Sequence, residues 1–343
     1  MVGTMSLLRS LLGTARTVRP AVQPSDGLPP DDAVLLDAPD GRLGPALVAA
    51  ALGDHIPAAR LMAATRRSAE WEDRDRYAVR LAAFARSRDA WLTGWLAEAP
   101  GDPDALLVAA QLAVQRAWES PARAERLRDV EPMIRAAAEA APRDPVPWRL
   151  ALDHARGTHV PHTVFAALWE QALRRAAHHY GCHVSALEYL SARWYGSHRA
   201  CFDFAEQAAL DARPGSLIQT LPLRAAFIQQ VSGDAARVPD ARVDAAADLA
   251  IGLSARHRAG DPWPAEMRNT LAYVLVARGR WTAALEQFRL IGPCATSFPW
   301  SLGPGDPLGG FLDARQRVRR EVAGALVPLR GRAGRGRPGD HYA

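Results

Sequence analysis

The chain has 343 residues, of which 68 are Ala and 42 are Arg, and it contains no Lys. Hydrophobic residues make up 48% and charged residues 23% of the sequence, which excludes a wholly disordered protein. The formal net charge of +5 is too small, over a chain of this length, to indicate a nucleic-acid-binding protein. Because Ala is the strongest helix former, this composition predicts an all-α fold.

Residues 1–45 are expected to form a Pro-rich N-terminal segment that is partly disordered, since six prolines lie between Pro20 and Pro45. The first twenty residues contain no apolar core of the length that a signal peptide requires. No stretch approaches the roughly 20 apolar residues of a membrane span. The three Cys residues are too few and too far apart for a disulfide framework. Together these features predict a cytoplasmic protein without a membrane span.

Residues 46–300 are predicted to form a helical-repeat domain, because apolar residues recur there every three or four positions. Pro and Gly divide this region into segments of about 12 to 20 residues with short connections. That spacing predicts about five or six antiparallel helix hairpins. Residues 301–329 are expected to form a loop and a last helix, and residues 330–343 a disordered Arg/Gly tail.

One phrase occurs twice within the predicted helical region. The phrase Ala-Pro-x-Asp-Pro begins at Ala99 and again at Ala141, and an apolar anchor follows each copy, Leu106 and Trp148. The first Pro ends one helix, while Asp followed by Pro is a favourable start for the next helix. The phrase and its anchor recur together and therefore indicate an internal repeat.

These phrases, and a pattern near the C-terminus, resemble the tetratricopeptide-repeat family. The pattern has that repeat's Leu, small, large, Gly, aromatic, Ala and Phe positions at Leu271, Ala272, Leu275, Gly279, Trp281, Ala284 and Phe288. The two phrases lie 42 residues apart, which is longer than the family's usual 34. The resemblance implies a right-handed α-solenoid of antiparallel helix hairpins whose concave surface binds a peptide or protein partner.

Two further blocks are similar to an uncharacterised group of bacterial helical-repeat proteins. The first block lies in residues 189–205, where YLSARWYGSH is followed by FDFA, and the second is GPCATSFPW at residues 292–300. This similarity covers about residues 70–320. It implies a helical-repeat fold and brings no established activity.

The expected function is that of a non-catalytic protein–protein interaction scaffold. Arg and aromatic side chains on the inner helix faces would bind the partner, and the candidates are Arg193, Trp194, Tyr195 and His198. No catalytic residue, cofactor or metal is predicted, because the sequence has neither a Gly-x-Ser-x-Gly elbow nor a Gly-rich phosphate-binding loop. The partner is expected to be a protein or peptide and not a nucleic acid.

The alternative is a small-molecule enzyme or a metal-binding protein with its site in residues 178–204. This block begins with His-His-Tyr-Gly-Cys-His, whose side chains are possible metal ligands. A structural zinc site needs four ligands, and no second Cys pair accompanies the cluster. The alternative also requires a closed pocket in which His183, Glu188, His198 or Asp203 converge.

Helix ends explain three polar segments without any special chemistry. Residues 178–183 are interpreted as a helix C-terminus, with Gly181 as its cap. Residues 70–76, which alternate acids and Arg, are interpreted as a solvated helix start. Ser197 is predicted to be the N-cap of the helix that follows it.

Overall fold

The computed structural model describes residues 27–233, 237–303 and 305–326. This part of the chain is almost entirely helical, which confirms the all-α class. The first eight helices are α1 (Leu43–Ala51), α2 (Ile56–Arg67), α3 (Trp71–Ala85), α4 (Ala90–Glu98), α5 (Pro103–Glu119), α6 (Arg123–Ala140), α7 (Val146–Gly157) and α8 (His162–Arg175). The remaining helices are α9 (Tyr180–Tyr189), α10 (His198–Asp211), α11 (Leu221–Ser232), α12 (Asp240–Ser254), α13 (Ala265–Ala277), α14 (Trp281–Ile291), α15 (Ser297–Trp300) and α16 (Pro307–Leu326).

Short 3₁₀ helices at Asp31–Ala33 and Leu217–Thr220 and two-residue strands β1 (Leu35–Leu36) and β2 (Cys294–Ala295) complete the described structure. None of the helices in the three described ranges has the length and apolar character needed to cross a membrane. The last helix, α16, lies within residues 301–329, where the sequence predicts a loop followed by a helix.

Both copies of the Ala-Pro-x-Asp-Pro phrase lie at helix starts, as the sequence predicts. The Asp102 side chain accepts hydrogen bonds from the backbone N–H groups of Asp104 (2.8 Å) and Ala105 (2.9 Å) at the start of α5. Asp144 accepts one from the backbone N–H of Val146 (2.9 Å) at the start of α7. Each side chain thus satisfies donors that a helix N-terminus leaves without partners.

The tetratricopeptide-like pattern falls on α13, α14 and the turn between them, and these two helices pack against each other. Leu271 and Leu275 on α13, and Ala284 and Phe288 on α14, are all fully buried. Gly279 lies in the turn with φ +68°, a conformation that favours glycine. The residues that the pattern assigns to helix contacts therefore do lie between the two helices.

The described part of the N-terminal segment packs against the C-terminal part of the fold. Strand β1 pairs in parallel with β2, with Leu35 opposite Cys294. Nearby, Asp37 accepts a hydrogen bond from the backbone N–H of Ser297 at 3.1 Å, and Arg315 donates one to the carbonyl of Pro29 at 3.1 Å. Residues 27–42, at the N-terminal end of the described chain, are therefore in contact with its C-terminal part. The expectations of disorder for the preceding residues and for the tail at 330–343 lie outside the described residues.

Buried apolar side chains form two large clusters, one in α1–α7 and one mainly in α9–α16, with a smaller cluster in α7–α9 between them. Helix α3 belongs to the first large cluster, through residues such as Tyr77 and Leu81. It also contacts α9 directly. Helix α3 therefore contributes, together with α7, to the contact between the two halves of the protein.

An ionic network centred on the fully buried Arg74 holds α3 in place. Arg74 is 0% exposed, and its guanidinium donates to Asp144 Oδ2 at 2.5 Å, lies 2.7 Å from Asp104 Oδ1, and donates to the Met62 carbonyl at 2.9 Å. Arg66 reaches Asp104 as well, at 3.0 and 3.2 Å. The network ties α3 to α2, to the start of α5 and to the turn before α7.

This network corrects the interpretation of residues 70–76 as a solvated helix start. Helix α3 does begin there, at Trp71, but Arg74 and Asp75 are buried. Buried charges are tolerated when oppositely charged partners and hydrogen bonds compensate for the lost hydration. The carboxylates of Asp104 and Asp144 do this for Arg74.

We expect the substitution Arg74→Ala to lower the free energy of unfolding by about 3–5 kcal/mol, because it leaves buried carboxylates without their cation. The matched control is Arg135→Ala, which removes an exposed ion pair with Glu131 within α6 and should cost less than about 1 kcal/mol. Urea unfolding followed by far-ultraviolet circular dichroism measures both values. Equal losses in the two variants would contradict the structural role of the network.

Candidate functional site

A cavity of about 560 Å³ lies where α3, α7, α9, α11 and α13 approach one another, with α5, α6 and nearby loops contributing to its wall. We refer to it as the arginine cavity. Its cations are Arg76, Arg80, Arg123, Arg149, Arg156, Arg193 and Arg224. Its carboxylates are Glu72, Asp75, Asp153, Glu188 and Glu266, and its indole rings are Trp118, Trp194 and Trp263. Cations therefore outnumber carboxylates in its wall.

Arg149 forms a buried part of this wall. Its guanidinium lies 2.6 Å from Asp75 Oδ1 and 3.1 Å from Asp153 Oδ2. Asp75 in turn packs directly against α9, where a Cβ at Gly181 would overlap its Oδ2 atom. Glycine at position 181 thus permits the close approach of α3 and α9 that brings this side of the cavity together.

Two indole rings and one guanidinium pack against one another on another side of the cavity. The guanidinium of Arg156 lies 4.6 Å from the ring of Trp118 and 5.3 Å from that of Trp194. The two indoles meet edge to face with their centroids 5.6 Å apart. We call these three residues the Trp–Arg stack. Arg123 extends it, at 4.9 Å from the Trp118 ring.

Arg76 stacks in the same manner on the ring of Trp263, at 3.8 Å. Burial lowers the pKa of the Arg76 guanidinium from its usual value, because a cation loses hydration in a partly buried position. No carboxylate oxygen of a described residue lies within 4.0 Å of it. Arg76 is therefore a partly buried cation without an ion-pair partner in the described chain.

Glu72 and Tyr180 line the cavity beside these cations. Burial raises the pKa of Glu72 above its usual value, although its Oε1 atom accepts a hydrogen bond from the Tyr180 backbone N–H at 2.8 Å. Burial also raises the pKa of Tyr180 to about 12. Both shifts arise because the ionised form of each side chain loses hydration in the cavity wall.

The structure places the four predicted binding residues in different environments. Arg193 and Trp194 line the arginine cavity. Tyr195 is 43% exposed and stacks on Tyr189, with ring centroids 4.6 Å apart. His198 is 1% exposed, so its side chain is not accessible to a partner, which corrects the expectation that it binds one.

The residues required by the enzyme or metal alternative do not converge on one pocket. Glu188 lines the arginine cavity, whereas His183 packs against aromatic rings. His198 is buried on α10, and Asp203 pairs with arginine side chains at the surface. Within residues 27–233, 237–303 and 305–326, no group of three or more His, Cys, Asp and Glu is placed to hold a metal ion.

The interpretation of residues 178–183 as a helix C-terminus is wrong. Helix α8 already ends at Arg175, and His179 is the N-cap of α9, where its side chain accepts a hydrogen bond from the Cys182 backbone N–H at 3.2 Å. Gly181 lies inside the first turn of α9 and is explained by the close contact with α3. The predicted N-cap Ser197 is confirmed by its hydrogen bond from the Ala200 N–H at 3.1 Å.

Most residues of the cavity wall are not predicted from the sequence. Arg76 and Trp263 contact each other across 187 positions, and no repeated phrase or spacing marks either of them. Trp118 lies near the C-terminal end of α5, on a segment whose apolar spacing indicates only a buried helix face. The sequence signal for the cavity wall is the Arg193-Trp194 dipeptide, which places a cation next to an aromatic residue.

No family model, curated protein or solved structure matches the chain. The resemblance to tetratricopeptide repeats and the similarity to bacterial helical-repeat proteins therefore stay predictions.

We expect Gly196→Ala to disturb the loop that carries Trp194. A Cβ at position 196 would overlap the backbone carbonyl of Leu190, and overpacking of this kind costs about 1–3 kcal/mol. The control is Gly94→Ala in α4, where no atom lies within 4 Å; Ala should be neutral or stabilising there, by up to about 1 kcal/mol. Urea unfolding tests both variants, and an unchanged stability of Gly196→Ala would contradict the described loop.

The stability of the protein should depend on pH through His183. Burial lowers the pKa of His183 below its usual 6.5, so the unfolded chain takes up this proton at a higher pH than the folded chain does. The contribution of neutral His183 is complete above pH 6.5 and is lost as the pH falls below that value.

The substitution His183→Gln removes this titration. We expect the loss of unfolding free energy between about pH 7.5 and about pH 5.5 to be smaller in the variant than in the original chain. Urea unfolding at both pH values measures the difference. An equal or larger loss in the variant would contradict the assignment.

Proposed function

We propose that this protein is a non-catalytic interaction scaffold of the tetratricopeptide-like type, and that it binds a peptide or protein segment in the arginine cavity. On this proposal the helices form a right-handed superhelix of antiparallel hairpins, and the cavity lies on its concave face. The buried α13–α14 contacts and the two capped Ala-Pro-x-Asp-Pro turns support such an arrangement.

The observation that carries the proposal is the Trp–Arg stack in the cavity wall. Trp and Arg are among the residue types that contribute most binding energy at protein interfaces. Arg156 packs against both indole rings and pairs with Asp153, so its side chain loses little conformational freedom when a partner binds. A prearranged cation beside large aromatic surfaces suits the recognition of a polar peptide segment.

The size of the cavity fits this role. Its volume of about 560 Å³ falls in the range of pockets that hold small ligands or a few side chains of a larger one. The wall contains Trp, Tyr and Arg side chains, which are residue types enriched at protein interfaces. A short segment of a partner would fill it.

We also propose that the protein acts in the cytoplasm. Its three cysteines, Cys182, Cys201 and Cys294, are all buried free thiols. Burial raises the pKa of the Cys201 thiol to about 12, which keeps it protonated and unreactive. Unpaired thiols of this kind are usual in a reducing compartment.

Peptide selection tests the proposed function. Random peptides of about twelve residues, displayed on phage, are selected against the full chain, and the recovered sequences are synthesised with a fluorescent label. We expect Trp194→Ala to weaken their binding by about tenfold or more, because it removes a ring of the Trp–Arg stack. Fluorescence anisotropy measures the dissociation constants.

The matched control is Trp148→Ala. Trp148 also lies under an arginine, Arg175, at 4.1 Å, but it lines a different cavity of about 690 Å³ between α6, α7 and α8. This substitution should leave peptide binding unchanged. Failure to recover any binding peptide would contradict the proposed function, as would peptides that depend on Trp148 and not on Trp194.

A further inference from the structure

We propose that the arginine cavity recognises carboxylate side chains of an acidic peptide segment, through Arg76, Arg123 and Arg193. This inference rests on the proposed function and adds to it the chemistry of the partner. The observation behind it is that some arginines of the cavity form ion pairs with carboxylates of the described chain, whereas others do not.

Four of the seven arginines already have carboxylate partners. The closest pairs are Arg149–Asp75 at 2.6 Å, Arg80–Asp37 at 3.1 Å, Arg224–Glu266 at 3.1 Å and Arg156–Asp153 at 3.4 Å. These ion pairs neutralise most of the negative charge in the wall. They hold the cavity together and leave the remaining cations to act on a ligand.

The other three arginines have no such partner. No carboxylate oxygen of the described chain lies within 4.0 Å of Arg76, Arg123 or Arg193. Arg76 and Arg123 instead rest against the rings of Trp263 and Trp118. Arg193 is exposed at the cavity, next to Trp194.

Arg76 is partly buried and has no carboxylate of the described chain in contact with it. Asp73, Asp40 and Glu266 act on its guanidinium only from beyond 4.0 Å, and a desolvated cation without a contacting counter-charge is unfavourable. A carboxylate from a partner would remove this penalty. Stacking on Trp263 holds the guanidinium plane in position. One N–H group donates to the Trp263 carbonyl at 3.5 Å, and the remaining N–H groups can donate to a bound carboxylate.

Two further donors in the wall also lack acceptors. The Nε atoms of Arg156 and Arg224 are buried and have no hydrogen-bond partner in the described chain. Buried donors of this kind are normally satisfied. The oxygens of a bound carboxylate, or of a peptide backbone, would satisfy them.

The same wall disfavours a dense polyanion. Glu72, Glu188 and Glu266 are among the five carboxylates that line it, so cations and carboxylates are mixed in the wall and do not form a continuous cationic surface. A nucleic acid carries a phosphate at every nucleotide and binds best to clustered cations. A peptide can place a few acidic side chains at the unpaired arginines and uncharged residues elsewhere, so charge complementarity favours an acidic peptide.

The first part of the test changes the peptide. Each peptide recovered by selection is resynthesised with Asn for Asp and Gln for Glu, and both forms are titrated with the full chain by fluorescence anisotropy. We expect the amide form to bind at least about tenfold more weakly, because charge-assisted hydrogen bonds are lost. Binding of the two forms within about twofold would overturn the inference.

The second part changes the protein. Arg76→Gln and Arg193→Gln should each weaken binding of the acidic peptide by about tenfold and leave binding of its amide form unchanged. Arg193 is exposed, so its variant keeps the test valid if Arg76→Gln fails to fold. The matched control is Arg175→Gln, since Arg175 also stacks on a tryptophan and lies within 4.0 Å of no described carboxylate; it should change neither affinity.

The outcomes separate this inference from the proposed function. Peptides that require Trp194 but tolerate the amide replacement would overturn the inference and leave the proposed function standing. Recovery of no binding peptide would overturn both. A fluorescein-labelled single-stranded oligonucleotide of about twelve nucleotides is titrated in parallel, and tighter binding of it than of the acidic peptides would also overturn the inference.

Discussion

The buried guanidinium of Arg74 is the constraint on which the rest of the structure depends. It lies between the carboxylates of Asp104 and Asp144, and each of these carboxylates stands at the start of a helix that follows a turn. In a medium of low dielectric such charges interact strongly and in only a few geometries. The network therefore fixes the rotation of α3, and with it the direction of its other side chains. Asp75 and Arg76, the next two residues of the helix, line the arginine cavity as a result.

The cavity is assembled from segments that are distant in the sequence. Gly181 allows α9 to pack directly against Asp75 of α3. Trp263, in the loop before α13, provides the ring that supports Arg76. The N-terminal segment 27–42 packs against the C-terminal part of the fold and also contacts α3, where the Tyr77 hydroxyl donates to Asp40 Oδ2 at 2.8 Å. The apolar clusters stabilise the helices, while these polar and aromatic contacts decide which side chains face the cavity.

Local patterns in the sequence predict local features well. The Ala content predicts helices, Asp102 and Asp144 are found to cap them, and the spacing from Leu271 to Phe288 correctly identifies a buried helix contact. The burial of Arg74 is not predictable in this way, because an alternating run of charges has the same pattern on a solvated face. Only the tertiary arrangement shows which carboxylates compensate it. No local pattern in the sequence predicts the contact between Arg76 and Trp263 either.

On the proposal made above, the unpaired arginines of the cavity bind the carboxylates of a peptide. The most direct measurement is a crystal structure of the full chain with a selected acidic peptide bound. We expect peptide carboxylate oxygens within about 3 Å of the guanidinium nitrogens of Arg76 or Arg193. A peptide bound in the cavity between α6, α7 and α8, or one whose carboxylates all point into solvent, would contradict the proposal.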